Sequence, residues 1–355
     1  MIPELRLHNQ QISGSALQTP GELVHWMGAM QAQDYAGAKW AIGARLPGVT
    51  NEDVEQALAD KAIIRTWPMR GTLHFVAPSD VHWMLQLLTP RILAGTATRR
   101  KNLSLSDADL AISHNALAKA LQGGKQLMRK EMLAVLEQAG QSTANQRGYH
   151  ILWDAAQTGL TCIEPMQAKQ QTFVLLDEWI PAAKPLARDE ALATLALRYF
   201  TSHGPATIHD LTWWSGLTVK DARAGLASVE SKLASETIDG VTYWMPQTAH
   251  RTAKPSSSLY LLPGFDEYIL GYRDRGAVLQ AAHAKHINPG ANGMFSPMVV
   301  IDGQVVGVWK RTFKKDSVVL KPQPFGIFSA AQQQAIVQAA HRYGAFLGLS
   351  AQVIF

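Results

Sequence analysis

The Asp239-Gly240 step, set between Thr237-Ile238 and Val241-Thr242-Tyr243-Trp244, constrains this chain more than any other stretch. Asp-Gly between β-formers is the strongest short-range hairpin signal, because a two-residue turn that follows the strand twist needs positive φ at both central positions. Three short helical segments precede it. Residues 189–202 stop at Gly204-Pro205, residues 207–215 end at Gly216, and Thr218 opens the third as N-cap. Three helices followed by a hairpin is the outline of a winged helix, whose helix–turn–helix is the geometry by which many proteins enter DNA. The same outline also serves as a packing module, so it does not assign DNA contact by itself.

Looser copies of this outline lie upstream. Thr19-Pro20-Gly21-Glu22 reads as a capping box with proline at the first helical position. Leu23, Met27 and Met30 then recur at helical spacing, which predicts a helix running into Gln31 or Gln33. Helices are expected over residues 35–46 and 50–61, then strands over 62–67 and 72–76 joined by the turn Pro68-Met69-Arg70-Gly71. Pro78-Ser79-Asp80 caps a further helix, and another carries residues 90–100. Ser106 caps a helix to residue 121, followed by helices over 128–138 and 144–158 and strands over 160–164 and 172–177, joined by a polar loop, 165–171. Residues 246–258 read as a polar linker. Beyond it come strands at 259–262, 268–270, 298–301, 305–313 and 317–320, an Asp302-Gly303 hairpin tip, and a helix from Ser329 to about residue 347. The expected fold class is α+β. It comprises three tandem winged-helix units, residues 1–103, 104–184 and 185–250, and a strand-rich C-terminal segment, residues 251–355.

Composition narrows the chemistry. Apolar residues make up 47% and charged residues 17%, which describes a globular chain with a sizeable core. No apolar run is long enough to span a bilayer and no signal pattern opens the chain, so a cytoplasmic, membrane-free protein is expected. The single Cys162 excludes a disulfide framework and a cysteine-based zinc site. His283 and His286 lack a third ligand and read as surface histidines, so no metal is expected. Phosphate-loop, dinucleotide and nucleophile-elbow motifs are absent, so no cofactor is expected either. The net charge is only +5, but it is clustered. Lys61, Arg65, Arg70, Arg91, Arg99, Arg100 and Lys101 face one acid, Asp80; Lys310, Arg311, Lys314, Lys315 and Lys321 face only Asp316. Two such patches suggest a polyanion track, or else two solvated faces.

Gln31 and Gln33 sit in an apolar run with Trp26 and Met27 before them and Trp40 after. An amide is costly to bury unless its donors and acceptor find partners, so the pair calls for an explanation. Amides are weak bases, but they can aim a water or hydrogen-bond a sugar or base edge. In a helix, positions i and i+2 point to nearly opposite sides, so for both to meet one ligand the backbone must loosen near Gln31, or the two must line adjacent walls. The charged segment from Pro263 to Arg275 holds Asp266 and Glu267 with Arg273, Asp274 and Arg275, and reads as an ion-pair network ahead of an acid–base pair. His74, on a strand beside Arg70 and Thr72, either touches phosphate or a ligand or is a hydrogen-bonded, half-buried histidine.

Five stretches taken together resemble one family. They are Gln31-Ala32-Gln33-Asp34-Tyr35, the run Arg65 to His74 (RTWPMRGTLH), Gly204-Pro205-Ala206-Thr207, Leu262-Pro263-Gly264-Phe265-Asp266-Glu267-Tyr268, and Asp302 to Trp309 (DGQVVGVW). Their order and spacing are similar to those of the AlkZ-like DNA glycosylases, also known as a winged helix DNA-binding domain family. The resemblance implies three winged helices, C-shaped around a DNA-binding cleft, and excision of alkylated purines, in some members with unhooking of interstrand crosslinks. It implies that Gln31 and Gln33 are the two polar positions of a glutamine–x–glutamine signature, with Ala32 as a smaller spacer than usual and Asp34, like His74, a further catalytic or pocket candidate. An N7-alkylated purine already carries positive charge and leaves without a strong acid, so positioning a water suffices, worth part of the roughly 7–11 kcal/mol that orientation can supply. Phosphate contacts are then expected from Arg65, Arg70, Arg91, Arg99, Arg100, Lys101, Arg147, Lys310, Arg311, Lys314 and Lys315. The implied protein is a monofunctional, cofactor-free, monomeric, nucleoid-associated enzyme on double-stranded DNA carrying alkylated purines. The alternative is a non-catalytic winged-helix regulator, which has no need of paired glutamines in an apolar setting.

Overall fold

The computed structural model describes residues 1–167, 170–181, 185–248 and 258–355. The expected 246–258 linker lies mostly outside the described residues, as do residues 168 and 169 of the 165–171 loop. The chain groups into two compact units, Met1–Val54 with Leu192–Phe355, and Glu55–Ala191. This grouping joins the N-terminal segment to the C-terminal part of the chain, which the four consecutive segments read from sequence do not do.

In the unit Glu55–Ala191, strands follow one another in the order Thr72–Val76, Ile64–Met69, Thr161–Gln167, Gln170–Leu175 and Leu127–Met128. The first hairpin is tighter than expected. Pro68 belongs to the strand, and Arg70 (φ 53) and Gly71 (φ 69) alone make the turn. The two-residue strand Leu127–Met128 is too short for a periodicity signal and forms by pairing with Phe173 and Thr172. Ser106 and Asp109 make a full capping box that opens helix Asp107–Leu121. Asp80, by contrast, gives helix Val81–Ala94 no side-chain cap; its carboxylate instead accepts from Trp83 Nε1 at 3.1 Å. Pro90 lies inside that helix, and a separate helix, Ala97–Asn102, carries the basic run Arg99-Arg100-Lys101. Leu117, Leu121, Met132, Leu136, Ile151 and Ala155 form the core of this unit. Cys162 is buried among these elements, and burial pushes its thiol up, away from reactivity.

The other unit is built on a five-stranded sheet in the order Ser350–Val353, Ser317–Pro324, Gln304–Phe313, Met298–Ile301 and Leu259–Leu262. Ser350–Val353 runs parallel to Ser317–Pro324 and the other neighbours are antiparallel. Helix Ala330–Leu347, opened by a Ser329 capping box, precedes that parallel strand. Asp239 (φ 50) and Gly240 (φ 76) make the expected two-residue turn, as do Asp302 (φ 49) and Gly303 (φ 78). Residues 268–270, expected as strand, are instead the short helix Glu267–Leu270, because the Asp266 carboxylate accepts from Tyr268 N at 2.9 Å and turns the chain. Leu7, Leu262, Tyr268, Ile269, Met298 and Val300 pack as its core. Among the described residues, no helix is long and apolar enough to cross a membrane.

Candidate functional site

The glutamine segment belongs to the unit Met1–Val54 with Leu192–Phe355. Helix Pro20–Met27 begins with the predicted capping box, Thr19 Oγ1 accepting from Glu22 N and Glu22 accepting from Thr19 N at 3.0 Å. The helix does not reach Gln31. Gly28 stops it with φ 78 and ψ −52, a conformation open to glycine and strained for other residues. Residues Ala29–Gln31 are extended, and Asp34 caps the next helix, Tyr35–Gly43, by accepting from Gly37 N at 3.1 Å. Because the helix ends before Gln31, the opposed placement that a helix imposes on positions i and i+2 does not apply to the two amides. Ala32 is 0% exposed, Gln31 is partly exposed and Gln33 is exposed.

A buried polar network stands behind this segment. The Glu267 carboxylate is 1% exposed; one oxygen accepts from Gln31 N at 2.9 Å and the other from Trp214 Nε1 at 3.0 Å. His203 Nε2 lies 3.6 Å from the latter oxygen, too far for a hydrogen bond. Burial pushes His203 below its usual pKa against the pull of Glu267, which favours neutral imidazole, and its ring stacks on Tyr199 with centroids 4.8 Å apart. Asp266 does form an ion pair, but not with the nearby arginines of its own segment. Its partner is Arg45, through two 2.8 Å contacts with both side chains fully buried. Glu267, His203, Trp214 and Arg45 were not legible as part of the glutamine site, since their contacts join residues as much as 236 positions apart.

Positive charge comes close to the glutamines along strand Gln304–Phe313. Arg311 Nη2 is 3.6 Å from the Asp34 carboxylate, tying the basic strand to the residue after Gln33. Lys310, Lys314 and Lys315 are exposed. Lys310 sits directly opposite Lys321 across the strand pair, a like-charge juxtaposition that disfavours the sheet until an anion neutralises it. Asp34 is engaged both as cap and beside Arg311.

The predicted residues of the unit Glu55–Ala191 divide. Arg91, Arg99 and Lys101 are exposed, though Arg99 also donates to Gln146 Oε1 at 3.0 Å. Arg100 is paired with Asp107. Arg147 is a structural brace; it donates to Leu103 O at 3.0 Å, Ser104 O and Gln141 Oε1 at 2.9 Å. Arg65 is 3% exposed inside the strand pair, where a phosphate does not reach it, and this corrects its reading as a surface contact. His74 is 0% exposed. Thr72 O, 2.8 Å from Nδ1, can only accept, and Arg70 Nη2, 3.2 Å from Nε2, can only donate, so His74 carries its hydrogen on Nδ1 and orients Arg70. His283 and His286 both stack on Phe325, with centroids at 4.5 and 5.0 Å, and no group able to hold a metal occurs among the described residues.

A family model described as DNA glycosylase AlkZ-like matches residues 24–346. The chain belongs to the AlkZ-like DNA glycosylase family. It is a DNA glycosylase, a hydrolase of N-glycosyl bonds, and the reading as a non-catalytic regulator is set aside. An interstrand DNA cross-link repair glycosylase from Streptomyces sahachiroi is 27% identical over 323 residues, 86% of this chain and 85% of the relative. The solved structure of Streptomyces sahachiroi DNA glycosylase AlkZ matches with a TM-score of 0.81 at 24% identity, covering 99% of this chain and 98% of that one. That likeness establishes the mixed α+β fold.

Proposed function

We propose that this glycosylase hydrolyses the N-glycosidic bond of N7-alkylated purines in duplex DNA and unhooks interstrand crosslinks, with Gln31 and Gln33 positioning the attacking water. The observation that carries the reading is that the Gln31-Ala32-Gln33 segment lies outside the helix, with both amides outside the core, Ala32 buried between them, and Arg311 beside the adjoining Asp34. Neither amide is a strong acid or base, so the substrate must bring its own activated leaving group, as a cationic N7-alkylpurine does. A relative named as an interstrand DNA cross-link repair glycosylase supports the crosslink part of the reading. Arg70, Arg91, Arg99, Arg100, Lys101, Lys310, Arg311, Lys314 and Lys315 remain the proposed phosphate contacts. The proposal extends to three winged-helix units that hold DNA, a monomeric enzyme without cofactor, and a nucleoid-associated location.

The test uses duplex DNA carrying N7-methylguanine and scores abasic product. Wild type should form it, and Gln31→Ala and Gln33→Ala should each slow single turnover by about 100-fold, the scale of a misplaced reactant. Release of unmodified guanine as fast as N7-methylguanine would remove the leaving-group argument, and full activity in both variants would remove the glutamines.

A further inference from the structure

Glu267 holds the Gln31 backbone without being able to touch DNA. It is 1% exposed, one carboxylate oxygen is 2.9 Å from Gln31 N, and the other is 3.0 Å from Trp214 Nε1. We infer that Glu267 is a positioning residue, a buried carboxylate that pins the Gln31 backbone N–H and thereby sets where the Gln31 amide stands over the scissile bond. This rests on the reading of Gln31 given above.

The energetics favour a role beyond stability. A buried carboxylate carries a desolvation cost of several kcal/mol, and an apolar residue of similar volume at such a place is often neutral or stabilising. What an apolar residue cannot supply is a charge-assisted acceptor of fixed direction, the stronger and shorter class of hydrogen bond. Gln31 is the last residue of a three-residue strand, and the Glu267 carboxylate meets it there. The same Trp214 that donates to Glu267 also packs on the stop that ends the preceding helix. A Cβ on Gly28 would stand 3.5 Å from Trp214 Cη2. Gly28 and Gln31 are thus referenced to one side chain pair, Trp214 and Glu267. Tyr199 and His203 stack behind that pair, and Gln10 Nε2 approaches Glu267 O at 3.5 Å while donating to Tyr272 Oη at 2.9 Å. The pin therefore sits on a braced platform and not on a loop.

The experiment compares wild type, Glu267→Ala, Glu267→Gln and Glu267→Gln/Trp214→Phe by three measurements. These are hydrogen exchange of the Gln31 amide, the single-turnover rate on N7-methylguanine duplex, and the Kd for an undamaged duplex. Glu267→Ala should speed exchange at Gln31 and lower the rate by about 100-fold, with the Kd changed less than about threefold. In Glu267→Gln one end becomes a donor that faces a donor, either Gln31 N–H or the indole N–H. The Trp214→Phe partner removes that conflict, so the double variant should recover rate and exchange protection that Glu267→Ala lacks. Recovery by the double variant also guards against a Glu267→Ala chain that fails to fold. Unchanged exchange at Gln31 in a folded Glu267→Ala overturns the pin whatever the activity. A rate loss that follows the Kd, or is not recovered by the double variant, overturns the positioning role. If wild type releases no base while Glu267→Ala still frees the Gln31 amide, the glycosidic reading of Gln31 fails and the pin stands.

Discussion

Arg45→Met removes a guanidinium from the protein interior while keeping most of its apolar stem. The Arg45 and Asp266 side chains are both fully buried and meet through two 2.8 Å contacts. Arg45 also donates to Gln10 O and Ala41 O at 2.9 Å and to Gln10 Oε1 at 3.0 Å. In the variant the Asp266 carboxylate keeps the Tyr268 N–H at 2.9 Å and loses its counter-charge. Removing one partner of a buried pair costs about 3–5 kcal/mol, chiefly through the charge left behind. At about 2–4 °C per kcal/mol for a unit of 150–250 residues, the unfolding midpoint should fall by roughly 10 °C. Thermal denaturation followed by circular dichroism measures it. Adding Asp266→Asn keeps an acceptor for Tyr268 N–H and removes the stranded charge, so the double variant should be more stable than Arg45→Met alone. A fall of under about 1 °C in Arg45→Met, or a double variant no more stable than the single, would show that Arg45 and Asp266 are not the coupled pair described. Because Glu267 follows Asp266 directly, Arg45→Met should also slow base release.

Three other outcomes are expected. Gly28→Ala puts a side chain at φ 78 with its Cβ 3.1 Å from Arg198 Cδ, so it should cost on the order of 1–3 kcal/mol in a denaturant titration and slow base release more than it weakens DNA binding. His203, held below its ordinary value of 6.5 by burial, contributes stability that is present above that pH and lost as the pH falls from there through its lowered folded-state value; the wild-type midpoint should drop as the pH is taken below 6.5, and His203→Gln should flatten the drop. Replacing Lys310, Lys314 and Lys315 with glutamine should weaken duplex binding without regard to sequence and lower the salt slope of log K by about 0.9 for each phosphate no longer neutralised.

Local signals were legible wherever the physics is local. The Thr19 capping box, the Ser106 cap and the Asp239-Gly240 and Asp302-Gly303 turns depend on residues within a few positions, and each formed as expected. Spacing misled where a single residue outweighed it. Leu23, Met27 and Met30 carry helical period, yet Gly28 ends the helix before Met30. Tyr268-Ile269-Leu270 looks like strand, yet the Asp266 cap coils it.

Non-local facts had no such signal. Strand Ser350–Val353 exists because Ser317–Pro324 offers it a parallel edge. The burial of Arg65, the Arg45–Asp266 pair and the Glu267–Gln31 bond depend on which segments meet in space. By itself, the sequence determined the family motifs, the glutamine pair, the basic clusters and most caps and turns, since each is written in neighbouring residues. Tertiary structure alone decided that the glutamines lie outside the helix and that a buried carboxylate 236 positions away holds the first of them. The physical reason is that a buried charge is tolerable only where partners converge on it, and that convergence is a property of the folded chain.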